Sequence, residues 1–235
     1  MKNRLILHLI VVLAAIPGSS PAQDSLFRTP PLVKSPAELM ALYQKDSTHQ
    51  LVELRSLIPG LVYDLRYATP NNFTGQPLYP RSTRVCYLRW PAAKSLQQVQ
   101  QKLAARGLGL KIYDAYRPYA VTVKFWELIK DERYVAHPAK GSGHNRGTAV
   151  DLTIIDLRTQ KELDMGTGYD DFSEKAHHSY TQLSKQVMDN RKLLRTLMTE
   201  AGFILFETEW WHYSLPDATR FELLDLSFKQ LRKTL

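Results

Sequence analysis

An α+β fold, a single domain with a mainly antiparallel sheet flanked by helices, follows from three features of the sequence. Strand-like and helix-like apolar periods interleave without the regular spacing of βαβ units. No Gly/Ser/Pro-rich gap after Leu51 is long enough for a linker, and no internal repeat is present, so residues 51–235 read as one domain. The composition, 44% hydrophobic and 23% charged over 235 residues, provides for one sizeable core and excludes disordered, collagenous and repeat architectures.

The elements follow in chain order. Lys2 and Arg4 precede an apolar run over residues 5–16, broken only by His8, and then Pro17, Gly18, Ser19, Ser20, Pro21 and Ala22. This is the pattern of a secretory signal cleaved after Ala22, so residues 1–22 are expected to leave and the mature protein to be exported, periplasmic or otherwise extracytoplasmic. The run is too short to span a bilayer comfortably, and no stable membrane insertion is expected after cleavage. Residues 23–50 carry Pro30, Pro31 and Pro36 and a weakly helical stretch over 37–43, and read as a lead-in or tether. Residues 61–66 alternate as a strand. A helix is expected over 92–106, with Pro91 at its start, Leu96, Val99 and Leu103 on one face, and Gly107 as its C-terminal stop. Strands are expected over 108–113, 147–155 and 203–206. Helices are expected over 120–130 and over 179–201, the latter stopped by Gly202.

Lys and Arg number 31 against 23 Asp and Glu, a formal +8 that falls by two with the loss of Lys2 and Arg4. No block of five basic residues occurs, and the 12 Tyr and 4 Trp are not interleaved with Lys and Arg in a stripe, which argues against nucleic acid as a partner. The charge suits association with anionic cell-wall polymers. The single cysteine, Cys86, excludes an internal disulfide framework and a Cys-based zinc knuckle, and reads as a small, partly buried apolar residue.

Three segments could carry chemistry. Residues 142–151 place His144 in a Gly-flanked loop and Asp151 within an apolar strand, where a carboxylate needs a metal ion or a basic side chain as partner. Residues 207–213 add Glu209, Trp210, Trp211 and His212 directly after an apolar run. A hydrolytic zinc site needs three protein ligands, an open position for water and a carboxylate to take the water's proton. His144, Asp151 and His212 can supply the ligands and Glu209 the base, provided the 207–213 segment bulges, because regular strand geometry sends Glu209 and His212 to opposite faces. Trp210, Trp211 and Tyr213 suit a core or a cleft wall. The third segment, residues 113–119, carries Arg117, either a donor to the oxyanion of a hydrolysed peptide bond or a surface ion-pair partner.

Competing chemistries lack their motifs: there is no His-Glu-x-x-His, no Gly-x-Ser-x-Gly, no phosphate-binding Gly-rich loop and no Ser-x-x-Lys. His177 and His178 are adjacent, do not converge naturally on one ion, and read as exposed or capping. His49 and His137 stand alone and read as neutral, satisfied histidines.

Taken together, residues 51–213 resemble the D-alanyl-D-alanine dipeptidase family, which includes the vancomycin-resistance dipeptidases, among the zinc D-Ala-D-Ala metallopeptidases. The resemblance rests on five blocks in order: Asp64-Leu65-Arg66-Tyr67-Ala68-Thr69 with Asn72-Phe73-Thr74-Gly75; residues 114–118; residues 142–151; Asp164-Met165-Gly166-Thr167 with Asp170; and residues 209–212. It implies one zinc ion per chain on His144, Asp151 and His212, with Glu209 as general base and Arg117 stabilising the tetrahedral intermediate. It further implies a narrow cleft for a free dipeptide, Tyr67 and Asp170 at the substrate ammonium, and Ser142 near the substrate carboxylate. The resistance enzymes act in the cytoplasm, whereas this chain begins with an export signal, which points to turnover or recycling of wall-derived dipeptide. Two alternatives stay open: a D,D-carboxypeptidase or endopeptidase acting on peptidoglycan stem peptides, and a zinc-stabilised binding module without turnover.

Overall fold

The computed structural model describes residues 27–235; the signal sequence expected over residues 1–22 lies outside the described residues. The elements run β1 Leu32–Val33, α1 Pro36–Lys45, β2 Leu51–Glu53, α2 Leu54–Leu57, β3 Val62–Tyr63, β4 Tyr87–Arg89, α3 Trp90–Ala104 and β5 Leu108–Asp114. They continue with α4 Tyr119–Ile129, α5 Gly143–Arg146, β6 Ala149–Asp156, α6 Lys185–Glu200, β7 Ile204–Phe206, β8 Glu209–Ser214, β9 Leu223–Leu224 and α7 Phe228–Thr234.

The central sheet has the order β3-β5-β6-β8-β7. Three of its pairings are antiparallel, as the sequence leads one to expect, and β3 joins β5 in parallel. β6 is buried on both faces, Val150, Leu152, Ile154 and Ile155 being inaccessible. α3 packs on β5 and α6 on β7 and β8. The buried side chains Ala92, Leu96, Val99 and Leu103 form the inner face of α3, at the spacing the sequence displays.

Several boundaries differ from the sequence reading for local reasons. The expected strand over 61–66 is cut short after Tyr63, where the chain enters a 3-10 turn at Arg66–Ala68 that sinks Tyr67 and Ala68 into the core. The helix expected from 179 begins at Lys185, because Ser184 caps it, its Oγ accepting from the Val187 amide at 3.3 Å. From Leu32 onward the lead-in is docked on the domain. β1 pairs in parallel with β9, Ser35 and Glu38 form a capping box on α1, Leu39 is fully buried, and the Tyr43 hydroxyl accepts from the Leu51 amide at 3.0 Å. Among the described residues no helix is long and apolar enough to cross a membrane.

Candidate active site

The sheet register assembles half of the site. Asp114 on β5 lies opposite Asp151 on β6, and Asp151 lies opposite His212 on β8, so three polar side chains stand in a row across adjacent strands. The fourth, His144, comes from α5, whose N-cap Ser142 accepts from the His144 amide at 3.2 Å. α5 ends at Gly147, which has φ +71°, and a Cβ there would lie 2.9 Å from Leu51 Cδ2. Glycine alone makes this sharp entry into β6 without strain, which brings His144 over the sheet beside Asp151.

The bulge required of residues 207–213 is present. Leu205 pairs with Tyr213, but Phe206 pairs with Glu209, so the extra residues of β8 bend out between those two contacts. Glu209 Oε2 thereby comes to 3.9 Å from His212 Nδ1.

The donor atoms converge. His212 Nδ1 lies 2.9 Å from Asp151 Oδ1, and His144 Nε2 lies 3.3 Å from the same oxygen and 3.1 Å from His212 Nδ1. His144 Nδ1 donates to the Ala115 carbonyl at 2.7 Å, which orients the ring so that Nε2 faces the group. Ligands about 2.0–2.1 Å from a tetrahedral ion stand about 3.3 Å apart, close to the spacings seen here, and two imidazoles with one carboxylate are a zinc-type donor set. The residues therefore fit a metal ion, and among the described residues they are the group of three whose donor atoms lie together in this way.

The electrostatics follow from burial. Burial would raise the Asp151 carboxyl, but the facing His144 and His212 outweigh it and hold it far below its ordinary value. Burial lowers His212, keeping it a neutral ligand, although Asp151 opposes the shift. Glu209, 6% exposed, is pushed well above the usual range by burial and then by the charges of Asp151 and Asp170, which makes it a stronger base once ionised. Arg117 is not on the surface. It is 8% exposed, its Nε and Nη2 both donate to Asp114 Oδ2 at 2.9 Å, and Asp114 Oδ1 accepts from the Tyr79 hydroxyl at 2.7 Å. Burial alone would lower Arg117, and the Asp114 carboxylate reverses that, so the guanidinium stays charged.

All eight residues singled out from the sequence, His144, Asp151, His212, Glu209, Arg117, Tyr67, Asp170 and Ser142, line one cleft of about 290 Å³. This is the small end of ligand pockets, which run from about 300 Å³. Tyr67 donates to Asp170 Oδ1 at 3.0 Å, while Asp170 Oδ2 is buried without a hydrogen-bond partner. An aromatic wall of Phe73, Phe125 and Phe172, with ring centroids 4.9 and 5.3 Å apart, stands beside that end.

Sequence reasoning passed over Asp114 as a functional residue, although its i,i+3 spacing to Arg117 was visible. It also passed over Tyr169, for which the sequence carries no signal. His49, read as standing alone, is paired through Nδ1 with Glu222 Oε2 at 2.9 Å, a neighbour distant in sequence. His177 and His178 are partly buried, not exposed, with His177 capping a 3-10 turn, and they stand outside the metal-type group. Cys86 is free and buried.

Residues 47–233 match the family model described as D-ala-D-ala dipeptidase. The chain belongs to this family. A D-alanyl-D-alanine dipeptidase of Escherichia coli (strain K12) is 38% identical over 177 residues, covering 75% of this chain and 90% of the relative. One from Enterococcus faecium is 32% identical over 182 residues, covering 70% and 90%. A solved structure of the LdcB LD-carboxypeptidase aligns with a TM-score of 0.36 and 21% identity over 57% of this chain; the match spans 63% of that protein, under two thirds of its length. Membership of the dipeptidase family agrees with the block order read from the sequence and with the matched span ending beyond His212.

Proposed function

We propose that this chain hydrolyses D-alanyl-D-alanine to two molecules of D-alanine, with one zinc ion held by His144, Asp151 and His212, and serves turnover or recycling of cell-wall peptide outside the cytoplasm. The observation that carries the reading is the convergence of His144 Nε2, Asp151 Oδ1 and His212 Nδ1 within 3.3 Å of one another in a cleft shared with Glu209 and Arg117. When bound, the ion supplies a Lewis acid that polarises the scissile carbonyl and lowers the pKa of water.

The remaining work falls to the chain. Glu209 accepts a proton from the attacking water as its oxygen bonds to the carbonyl carbon. Arg117, held by Asp114, donates to the oxyanion that develops. The C–N bond then breaks and Glu209 returns the proton to the departing amine. Asp170 Oδ2, which lacks a partner, accepts from the substrate ammonium, and Tyr67 orients that carboxylate. Ser142, at the α5 N-terminus, lies toward the substrate carboxylate.

Selectivity for a free dipeptide rests on Asp170, because an N-acylated peptide has no ammonium to neutralise a buried carboxylate. The test is release of D-alanine by the zinc-loaded protein from D-Ala-D-Ala and, in parallel, from a blocked acyl-D-Ala-D-Ala peptide. Chelator-sensitive cleavage of the dipeptide alone supports the reading. Cleavage of the blocked peptide moves the assignment to a carboxypeptidase, and bound zinc without cleavage of either moves it to a binding module.

A further inference from the structure

Between β6 and α6 the chain makes a loop that lays Asp170 into the cleft and Tyr169 behind it against Asp151, and this loop is bolted down at several points. Arg191 of α6, 6% exposed, donates to the carbonyls of Met165 at 2.7 Å, Lys175 at 2.9 Å and His177 at 3.2 Å. Asn190 donates to the Asp164 carbonyl at 2.8 Å, and Trp210 Nε1 to Thr167 Oγ1 at 2.8 Å. Asp170 itself has φ +61°, a left-handed conformation that Asp tolerates and that turns its carboxylate back toward Tyr67.

The Tyr169 ring is packed against Tyr113, with centroids 4.6 Å apart, and against Trp211, at 5.5 Å. Its hydroxyl donates to Asp151 Oδ2 at 2.9 Å and stands 3.0 Å from the hydroxyl of Tyr67, which donates to Asp170. The two oxygens of Asp151 thus have different tasks: Oδ1 faces both histidines, and Oδ2 faces Tyr169. The next donor to Oδ2, Arg117 Nη2, is 3.7 Å away, too far for a hydrogen bond. Among the described residues Tyr169 is therefore the hydrogen-bond donor that holds Oδ2.

We propose that Tyr169 is a positioning residue: its hydroxyl, donated to Asp151 Oδ2, aims the other oxygen of that carboxylate at the metal position, while the neighbouring Tyr67 serves Asp170. The proposal rests on reading His144, Asp151 and His212 as metal ligands. A hydroxyl behind a ligand carboxylate typically changes metal affinity by about 10–100-fold. The Tyr67–Asp170 hydrogen bond behind the ammonium site is worth about fivefold in binding.

The experiment uses the full chain with Tyr169→Phe and Tyr67→Phe, both of which keep the buried ring. Zinc affinity is read by competition with a chromogenic chelator, and KM and kcat for D-Ala-D-Ala are measured at saturating zinc. Tyr169→Phe is expected to lose about tenfold in zinc affinity, with KM and kcat at saturating zinc much less affected. Tyr67→Phe is expected to raise KM alone, leaving zinc affinity as in the parent. A Tyr169→Phe protein that keeps parental zinc affinity overturns the proposal while leaving the ligand assignment intact. A parent protein that takes up no zinc overturns both.

Discussion

Asp114 Oδ2 receives both Nε and Nη2 of Arg117 at 2.9 Å, and neither residue is more than 8% exposed. The pair sits beside the metal-type group, with Asp114 Oδ2 3.8 Å from His144 Nδ1. A buried cation deprived of its partner is costly, typically by about 3–5 kcal/mol. Asp114→Ala is therefore expected to lower stability by about that amount in urea unfolding. It should also lower kcat by about a hundredfold, because the guanidinium is no longer aimed. A stable, fully active variant would remove Asp114 from this role.

The ligand histidines couple metal to folding. His212→Ala removes one of three donors and is expected to lose stoichiometric zinc, together with the rise in melting temperature that zinc gives the parent. Metal analysis after dialysis, paired with thermal unfolding with and without zinc, checks this; normal zinc content in the variant refutes the assignment.

Asp170 predicts a pH dependence of two opposite kinds. Burial, and then the charge of Asp151, raises its carboxyl to about 7. The folded state thus keeps a proton that the unfolded chain has lost from about pH 4 upward, so this group's stability contribution is full below pH 4 and is lost as pH rises to about 7. Binding an ammonium needs the ionised form, so kcat/KM for the dipeptide should rise through about pH 7 with a one-proton slope. Asp170→Asn should erase that rise, lose dipeptide cleavage and melt a few degrees higher than the parent at pH 8. A variant no more stable at pH 8 than the parent would contradict the burial argument.

Arg191 predicts a local effect. Arg191→Met removes three charge-assisted bonds to loop carbonyls and should cost about 3 kcal/mol. Limited proteolysis should then nick the 164–178 loop before the rest of the chain, with KM raised more than kcat. Unchanged protease resistance would show that the loop is held by other contacts.

Much of this site was legible because the chemistry needs few residue types at constrained places. His144, Asp151, His212 and Glu209 could be grouped from what a hydrolytic metal site requires, and the bulge at β8 followed from the period of a strand. The long elements were legible where apolar spacing was strong, as in α3, β5 and β6. Short ones were not: α5 has four residues and β4 three, too few for any period to show. Parallel pairing of β3 with β5 leaves no mark in the sequence. Partners brought together by the fold were equally hidden, since Tyr169 reaches Asp151 and His49 reaches Glu222 only through tertiary structure. Arg117 shows the same limit from the other side, being a surface ion pair by composition and a buried one by structure.

The most direct test of the account separates metal from proton transfer. Glu209→Gln keeps the three donors and the shape of the cleft but takes away the group that accepts and returns the proton. Zinc content and D-alanine release, measured on the same preparation, should show one zinc per chain and a rate about a thousandfold or more below the parent. A near-parental rate in the zinc-loaded variant would contradict the central claim.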